Sequence, residues 1–354
     1  MMRVKAPGTV CWWALFAMVC LSLPGCNDND NTISGESQGT VYAMTNAANG
    51  NAVVAYRRKN DGTLAFLNSF RTGGNGTGTG EVSTATPQDG IDPLASQGSL
   101  RLSRDKRFLF AVNAGSNSVT SFRVSNNGGL DRVSVRPSGG AQPNSLASAG
   151  NLLYVSNVGN AGNAFASNVT GFRVGNNGSL TQIAGSTHAL STANAQPSAM
   201  AFSPDGTLLA VSEITTNTIS VFTVNADGTL TGPVANPASG PAPFGSVFLT
   251  TGPLLVAEAS GALSSYNVAA NGTLSVISGS VATGQTATCW VSVTPDQQFA
   301  YTSNTGSNDI TSFTIGAGGT LTVLEAVAST VEGAGSSPTD NGISADGGNL
   351  YVLD

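Results

Sequence analysis

One unit recurs along this chain, and its recurrence leaves few ways to fold. The unit is clearest from Pro197 to Leu230, where Ala-Met-Ala-Phe, Leu-Leu-Ala-Val-Ser and Thr-Ile-Ser-Val-Phe-Thr-Val are separated by Pro-Asp-Gly and Thr-Thr-Asn and closed by Asp-Gly. Short apolar or alternating runs bounded by such turn residues are strands in a meander. The closing Gly-x-Leu recurs at Gly62, Gly128, Gly178, Gly228, Gly272 and Gly319, and its last four intervals are 50, 50, 44 and 47 residues. That spacing is the length of a four-stranded propeller blade.

The middle strand of each unit can be aligned. It begins at Val41, Phe108, Leu152, Leu208, Pro253, Phe299 and Asn349 and ends at Asn46, Asn113, Asn157, Glu213, Glu258, Asn304 and Asp354. Each unit is apolar on both faces and cannot bury them alone, so neighbours must stack. The expected fold is all-β, a seven-bladed β-propeller of four-stranded blades spanning residues 39–354. Blades 2 to 6 should run from Ser99, Pro143, Pro197, Pro243 and Cys289. Blade 7 starts at Pro338 and is incomplete at Asp354, as in a fragment or an early-terminated reading frame, and blade 1 lacks an inner strand. Such a ring is expected to leave the second strand of each terminal blade unpaired on one side.

Residues 1–26 carry Arg3 and Lys5, an apolar run from Val10 to Leu23, and then Pro24-Gly25-Cys26. This is the pattern of a secretory signal peptide, too short for a confident membrane span. Leu23-Pro24-Gly25-Cys26 resembles the bacterial lipobox, which implies lipidation at Cys26. Asn27 after it implies the outer membrane, and ordinary cleavage to a soluble secreted or periplasmic form is the alternative. Residues 27–38 are a polar tether. Of the four cysteines, only Cys289 then remains in the folded domain, so no internal disulfide can form. The balance of 14 basic against 20 acidic residues argues against a nucleic-acid footprint. A monomer touching the membrane only through its lipid anchor is expected.

Arg71 to Gln97 is an insertion containing Gly73-Gly-Asn-Gly-Thr-Gly-Thr-Gly80; it lacks the Lys and the helix of a phosphate loop and is expected to be a flexible surface loop. The strand-ending column should ring the mouth of the central channel. Asn113, Asn157 and Asn304 suit the turn that follows, but Glu213 and Glu258 do not, and a carboxylate at a channel mouth can serve as a general base, a cation ligand or an acceptor for hydroxyls. Glu213 is the candidate catalytic base. Asn113, Asn157, Glu258, Trp290 and Asn304 are the candidate binding residues, Trp290 as a flat platform or as packing. His188, the single histidine, is expected to be a solvated loop residue; with one free cysteine it cannot build a zinc site, and no cofactor is called for. Gly35-Glu-Ser-Gln-Gly39 matches the nucleophile-elbow string by chance, since it lies in the tether.

In blade order, Asp92-Pro-Leu-Ala-Ser-Gln-Gly-Ser-Leu100, Ala111-Val-Asn-Ala-Gly-Ser-Asn117, Phe202-Ser-Pro-Asp-Gly206 and Thr288-Cys-Trp-Val291 resemble the lactonase-like propellers. That group includes 6-phosphogluconolactonase and carboxy-cis,cis-muconate cyclase. The resemblance implies hydrolysis or cyclisation of a small lactone at the top of the channel. Ser212-Glu213-Ile214 keeps the carboxylate of the family's Asn-Glu-Leu motif, whereas Gln196-Pro197-Ser198-Ala199 lacks the Arg and His of its Gly-Pro-Arg-His. The alternative is a non-catalytic exported propeller holding a glycan, peptide or protein partner.

Overall fold

A computed structural model of the chain describes residues 2–5, 39–82, 92–164, 166–331, 333 and 336–354. Cys26 and the polar tether lie outside the described residues, as does all of the nucleophile-elbow string but Gly39. Seven antiparallel sheets follow one another. Blade 1 comprises Thr40–Met44, Ala52–Arg58 and Leu64–Arg71. Blades 2 to 6 have inner strands Leu100–Leu102, Pro143–Ala149, Pro197–Phe202, Pro243–Phe248 and Thr288–Val293. Their third strands end at Val124, Val174, Val224, Val268 and Ile315, as the repeat predicts. Blade 3 has a further short strand, His188–Ala189, beside Asn168–Val174. Blade 7 consists of Asn341–Ile343, Asn349–Val352 and, antiparallel to the latter, Met2–Lys5. Among the described residues, the open second strand expected at both ring ends is thus found at blade 1 alone, where Thr40–Met44 pairs on one side with Ala52–Arg58.

Local chemistry fixes the hairpins. Between inner and second strands, the hydroxyls of Ser103, Ser203, Thr294 and Ser344 donate to Asp105, Asp205, Asp296 and Asp346 two residues on. The residue after each Asp is left-handed, with φ of 60° at Lys106, 74° at Gly206, 62° at Gln297 and 71° at Gly347. Between third and fourth strands, Asp61, Asn127, Asn177, Asp227 and Asn271 each accept the N–H two residues ahead. This is the Asx turn that the Asp-Gly and Asn-Gly signals encode.

Between blades the core is apolar. Ala201, Leu208, Ala210 and Val221 of blade 4, for example, pack on Leu254, Val256 and Tyr266 of blade 5. Polar contacts then set the register. The Tyr42 hydroxyl of blade 1 donates to the Gly128 carbonyl of blade 2 at 2.9 Å, and Tyr154 of blade 3 donates to Gly228 of blade 4. Tyr351 of blade 7 donates to Gly62 of blade 1 at 2.9 Å, which joins the ends of the ring. The recurring glycine therefore does two jobs: it turns the chain at positive φ and presents its carbonyl to the preceding blade.

The insertion is not the flexible surface loop expected from its composition. Its first part is bound to the blade it leaves and to the next one: Asn51 N–H donates to the Gly74 carbonyl at 2.9 Å, Thr77 N–H to Asn46 at 3.0 Å, and Asn75 N–H to the Ser116 hydroxyl of blade 2 at 2.9 Å. Its last part, from Asp92, is largely buried inside the ring. Residues 83–91 lie outside the described residues. His188 likewise is half-buried rather than solvated; it pairs with Val169, and its ring packs 6.1 Å from that of Phe222.

Candidate functional site

The centre of the ring is reached from one side by the end of the insertion. Residues 92–98 cross into the channel because their polar groups match exposed main chain of three other blades. Gln97 N–H donates to the Ser198 carbonyl of blade 4 at 2.9 Å. The Gln97 amide spans Val291 of blade 6, donating to its carbonyl at 3.1 Å and accepting its N–H at 3.0 Å. Ser96 Oγ donates to the Asn144 carbonyl at 2.7 Å, and the Trp290 indole donates to the Ser96 carbonyl at 3.0 Å. Asn144 donates to the carbonyls of both Leu94 and Pro197. Each buried polar group of the segment so named has a partner, which is what a polar plug in a protein interior requires.

Beside this plug lies a cleft of about 1190 Å³, on the side where blade 1 has no inner strand among the described residues. It is bordered by Thr40–Met44, by Asp92, Pro93, Leu94 and Ser96 of the plug, by Trp290, and by Thr339 and Asp340 at the entry to blade 7. Asp92 is fixed at the start of the plug, where its two oxygens accept the N–H groups of Leu94 at 3.0 Å and Ser96 at 2.8 Å. Asp340 accepts the N–H of Asn341 at 2.9 Å, while its main-chain carbonyl accepts Leu353 N–H at 2.8 Å. Burial, followed by the negative charge of Asp92, pushes the Asp340 carboxyl up to about 7; Arg101 on the inner strand of blade 2 opposes the rise. Burial in turn lowers Arg101, and Asp340 raises it. A carboxyl that exchanges its proton near neutrality, in a cleft that admits a small molecule, is equipped for general acid or base chemistry.

Five of the sequence candidates are not in this cleft. Glu213 is fully buried, and its carboxylate accepts the hydroxyl and the N–H of Ser191, the latter at 3.2 Å, and the Thr216 hydroxyl at 3.0 Å. Glu258, also fully buried, accepts Gly240 N–H at 3.0 Å and the hydroxyls of Ser264 and Ser280 at 2.6 and 2.8 Å. Asn113 donates to Ser118 and Thr120, Asn157 to Asn168 and the Ser138 carbonyl, and Asn304 to Asp309 and Thr311. The column is therefore a set of staples. In blades 3, 4 and 5 the last residue of the second strand holds the chain arriving from the blade before, at Ser138, Ser191 and Gly240. The approach is tight: a Cβ on Gly240 would stand 2.1 Å from a Glu258 oxygen, and one on Gly140 would stand 2.6 Å from the Asn157 Cβ. Glu replaces Asn where every partner is a donor, since a carboxylate only accepts. The Glu213 carboxylate has chain partners on both oxygens and no exposure to solvent.

Trp290 does border the cleft, but as packing: it is 2% exposed, and its ring stands edge-on to Phe244 at 5.0 Å. Among the described residues no cluster of three His, Cys, Asp or Glu could hold a metal ion. Asp92 and Asp340 escaped the sequence reading because one lies in the insertion and the other in a Pro-Thr-Asp-Asn-Gly stretch that resembles a turn. The available signal was position, since both are acids just ahead of an inner strand.

The chain is similar in structure to a periplasmic gluconolactonase of Pseudomonas aeruginosa, at 19% identity and a TM-score of 0.64, over 89% of each chain. A putative 6-phosphogluconolactonase of Bacteroides fragilis aligns at 18% identity and 0.62, over 92% of this chain and 89% of that one. Another from Bacteroides uniformis aligns at 20% and 0.61, over 85% and 84%. A search of curated protein sequences finds no match. The profile described as "Lactonase, 7-bladed beta-propeller" matches residues 77–163, 163–290 and 254–354, and the chain belongs to that family.

Proposed function

We propose that the protein hydrolyses a small lactone in the cleft between the plug and blade 7, with Asp340 as general base. One observation carries this reading: two carboxylates, Asp92 and Asp340, border the same cleft, and the charge of the first helps to hold the second near a neutral titration point. In the reaction, ionised Asp340 takes a proton from water as the oxygen bonds to the lactone carbonyl carbon. The tetrahedral oxyanion forms within the field of Arg101. It collapses with cleavage of the ring C–O bond, and the proton held on Asp340 passes to the departing alkoxide, which leaves an open-chain hydroxy acid. The similarity to proteins described as gluconolactonases and 6-phosphogluconolactonases supports a sugar-derived lactone.

The test is base uptake in a pH-stat against neutral and acidic lactones. Turnover should rise through an apparent value of about 7 and vanish in Asp340→Asn. Asp92→Asn should move that value down and Arg101→Met should move it up, because Asp92 raises Asp340 and Arg101 lowers it. Full turnover by Asp340→Asn would overturn the assignment.

Export with lipidation at Cys26 is part of the same proposal, supported by the signal pattern and by the periplasmic relative. Processing there would remove Met2–Lys5 and the pairing that it makes with Asn349–Val352. An acylated N-terminus at Cys26 in membrane-fraction protein is the expected result, and an intact Met-initiated chain would refute it.

A further inference from the structure

The charges of this chain are divided by position. All fourteen Lys and Arg residues lie within residues 1–173, whereas residues 174–354 carry eleven Asp and Glu and no Lys or Arg. Folding turns most of this into a division in space: apart from Arg3 and Lys5, which lie in the strand added to blade 7, the basic residues of the described chain lie in blades 1 to 3 and in the insertion between the first two, whereas blades 4 to 7 are built from the second part. The face of the ring that carries the hairpins is consequently two-toned. Blade 2 presents Arg104, Arg107 and Arg123, with Asp105 among them, and blades 4 and 6 present Asp205, Asp227 and Asp296, all exposed; the two parts meet where Arg104 reaches the Pro204 carbonyl beside Asp205.

The cations are held in place but not neutralised. Arg104, Arg107 and Arg123 donate to the main-chain carbonyls of Pro204, Asn176 and Asn177 at 3.3, 3.1 and 3.3 Å. Among the described residues the one carboxylate within ion-pair reach of any of them is Asp105, 3.9 Å from Arg107. The acids opposite are charged at neutral pH. Hydrogen bonds from the hydroxyls of Ser203, Thr229 and Thr294 hold Asp205, Asp227 and Asp296 below the ordinary carboxylate range.

A two-fold contact sets residue i against j and j against i. A face that is cationic on one half and anionic on the other is therefore complementary to itself when turned over about an axis lying in that face. We infer that two copies of this chain associate through their hairpin faces, the Arg104, Arg107 and Arg123 side of each meeting the Asp205, Asp227 and Asp296 side of the other. The partner is a second copy because the same chain carries both halves of the complement. The attraction is between exposed charges, so it acts over about 10 Å at 0.1 M salt and fades above that.

Sedimentation velocity tests the inference without reference to lactone turnover. Full-length protein should sediment as a dimer near 10 mM ionic strength and as a monomer near 500 mM. Arg107→Gln with Arg123→Gln should stay monomeric throughout. So should Asp205→Asn, Asp227→Asn and Asp296→Asn together: Asn already fills the position of Asp227 in other blades, at Asn127, Asn177 and Asn271, and an Asn carbonyl can still accept the hydroxyls of Ser203 and Thr294. A one-to-one mixture of the two variants should recover part of the association, since one retains the anionic half and the other the cationic half. Dimers in both variants, dimers indifferent to salt, or a monomeric parent whose arginine side binds polygalacturonate or anionic vesicles instead would each overturn it.

Discussion

Arg58 and Asp346, 288 residues apart, meet in a two-point ion pair, with Nη2 to Oδ2 at 2.8 Å and Nη1 to Oδ1 at 3.3 Å. With Tyr351 on Gly62, this pair joins blade 7 to blade 1 where, among the described residues, no inner strand of blade 1 does so. The Arg58 side chain is 7% exposed and that of Asp346 is 48% exposed, so solvent screens part of the attraction. Arg58→Met should cost about 1 kcal/mol in urea unfolding at pH 7. Arg58 first, then Ser344 and Gly348, depress the Asp346 carboxyl. A depressed acid stabilises the fold above its unfolded value, about 3.9, and loses that contribution as it is protonated. The difference between parent and variant should therefore shrink progressively below about pH 4, and a difference that grows on acidification would contradict the pairing.

Asp340 has the opposite sign. Its folded value, about 7, lies above that of the unfolded chain, so the native state holds the proton more tightly. The parent should lose stability as pH rises from about 4 to 7, whereas Asp340→Asn should stay flat and be the more stable protein at pH 8. A dry site would give about 4 kcal/mol for such a shift; water in the open cleft should reduce the gain to about 2 kcal/mol. Equal slopes for the two proteins in chemical denaturation between pH 4 and 8 would count against a shifted Asp340.

The blades were legible because their signals are local. An Asp-Gly or Asn-Gly pair fixes its own turn, and alternation in Phe299-Ala-Tyr-Thr-Ser-Asn304 fixes its own strand. The use of the strand-ending residue was not legible. Whether Glu213 meets water or Ser191 depends on where the chain arriving from blade 3 runs, and no pattern within blade 4 reports that path. The plug is the same case. Asp92-Pro-Leu-Ala-Ser-Gln-Gly98 is small and polar, as a surface loop would be, yet it is buried because Asn144, Ser198, Trp290 and Val291 offer it matching donors and acceptors. Asp92 and Asp340 share one cleft only once the ring has formed.

Glu213→Gln separates a staple from a catalyst. A glutamine can keep the Ser191 N–H on its carbonyl oxygen, but its amide N–H groups would then have to donate to the hydroxyls of Ser191 and Thr216, so the bonds to a buried carboxylate give way to neutral ones. Exchanging charge-assisted bonds for neutral ones costs about 1 kcal/mol. The variant should unfold at lower urea concentration, yet turn over any substrate of the parent at an unchanged rate under conditions where both are folded. A stable but inactive variant would return Glu213 to the active site.

Two tyrosines at the same place in their strands should respond differently to the loss of a hydroxyl. Tyr154 is fully buried, and its hydroxyl donates to the Gly228 carbonyl of the next blade; burial, and then Asp227, pushes it up to about 12. Phenylalanine there would remove that bond and strand a carbonyl between blades, at about 1 to 2 kcal/mol. Tyr301 is the corresponding residue of blade 6, 4% exposed, but its hydroxyl meets no hydrogen-bond partner among the described residues. Its counterpart would be a Gly-x-Leu turn in blade 7, and blade 7 has no such turn among its described strands. Burying a hydroxyl without a partner is unfavourable, so its removal releases that penalty. Tyr301→Phe should be neutral or slightly stabilising in the chain as it stands, while Tyr154→Phe lowers the unfolding midpoint. Equal losses for the two in the same urea titration would mean that the Tyr301 hydroxyl is bonded in solution, and the proposed inter-blade rule would then fail at blade 6.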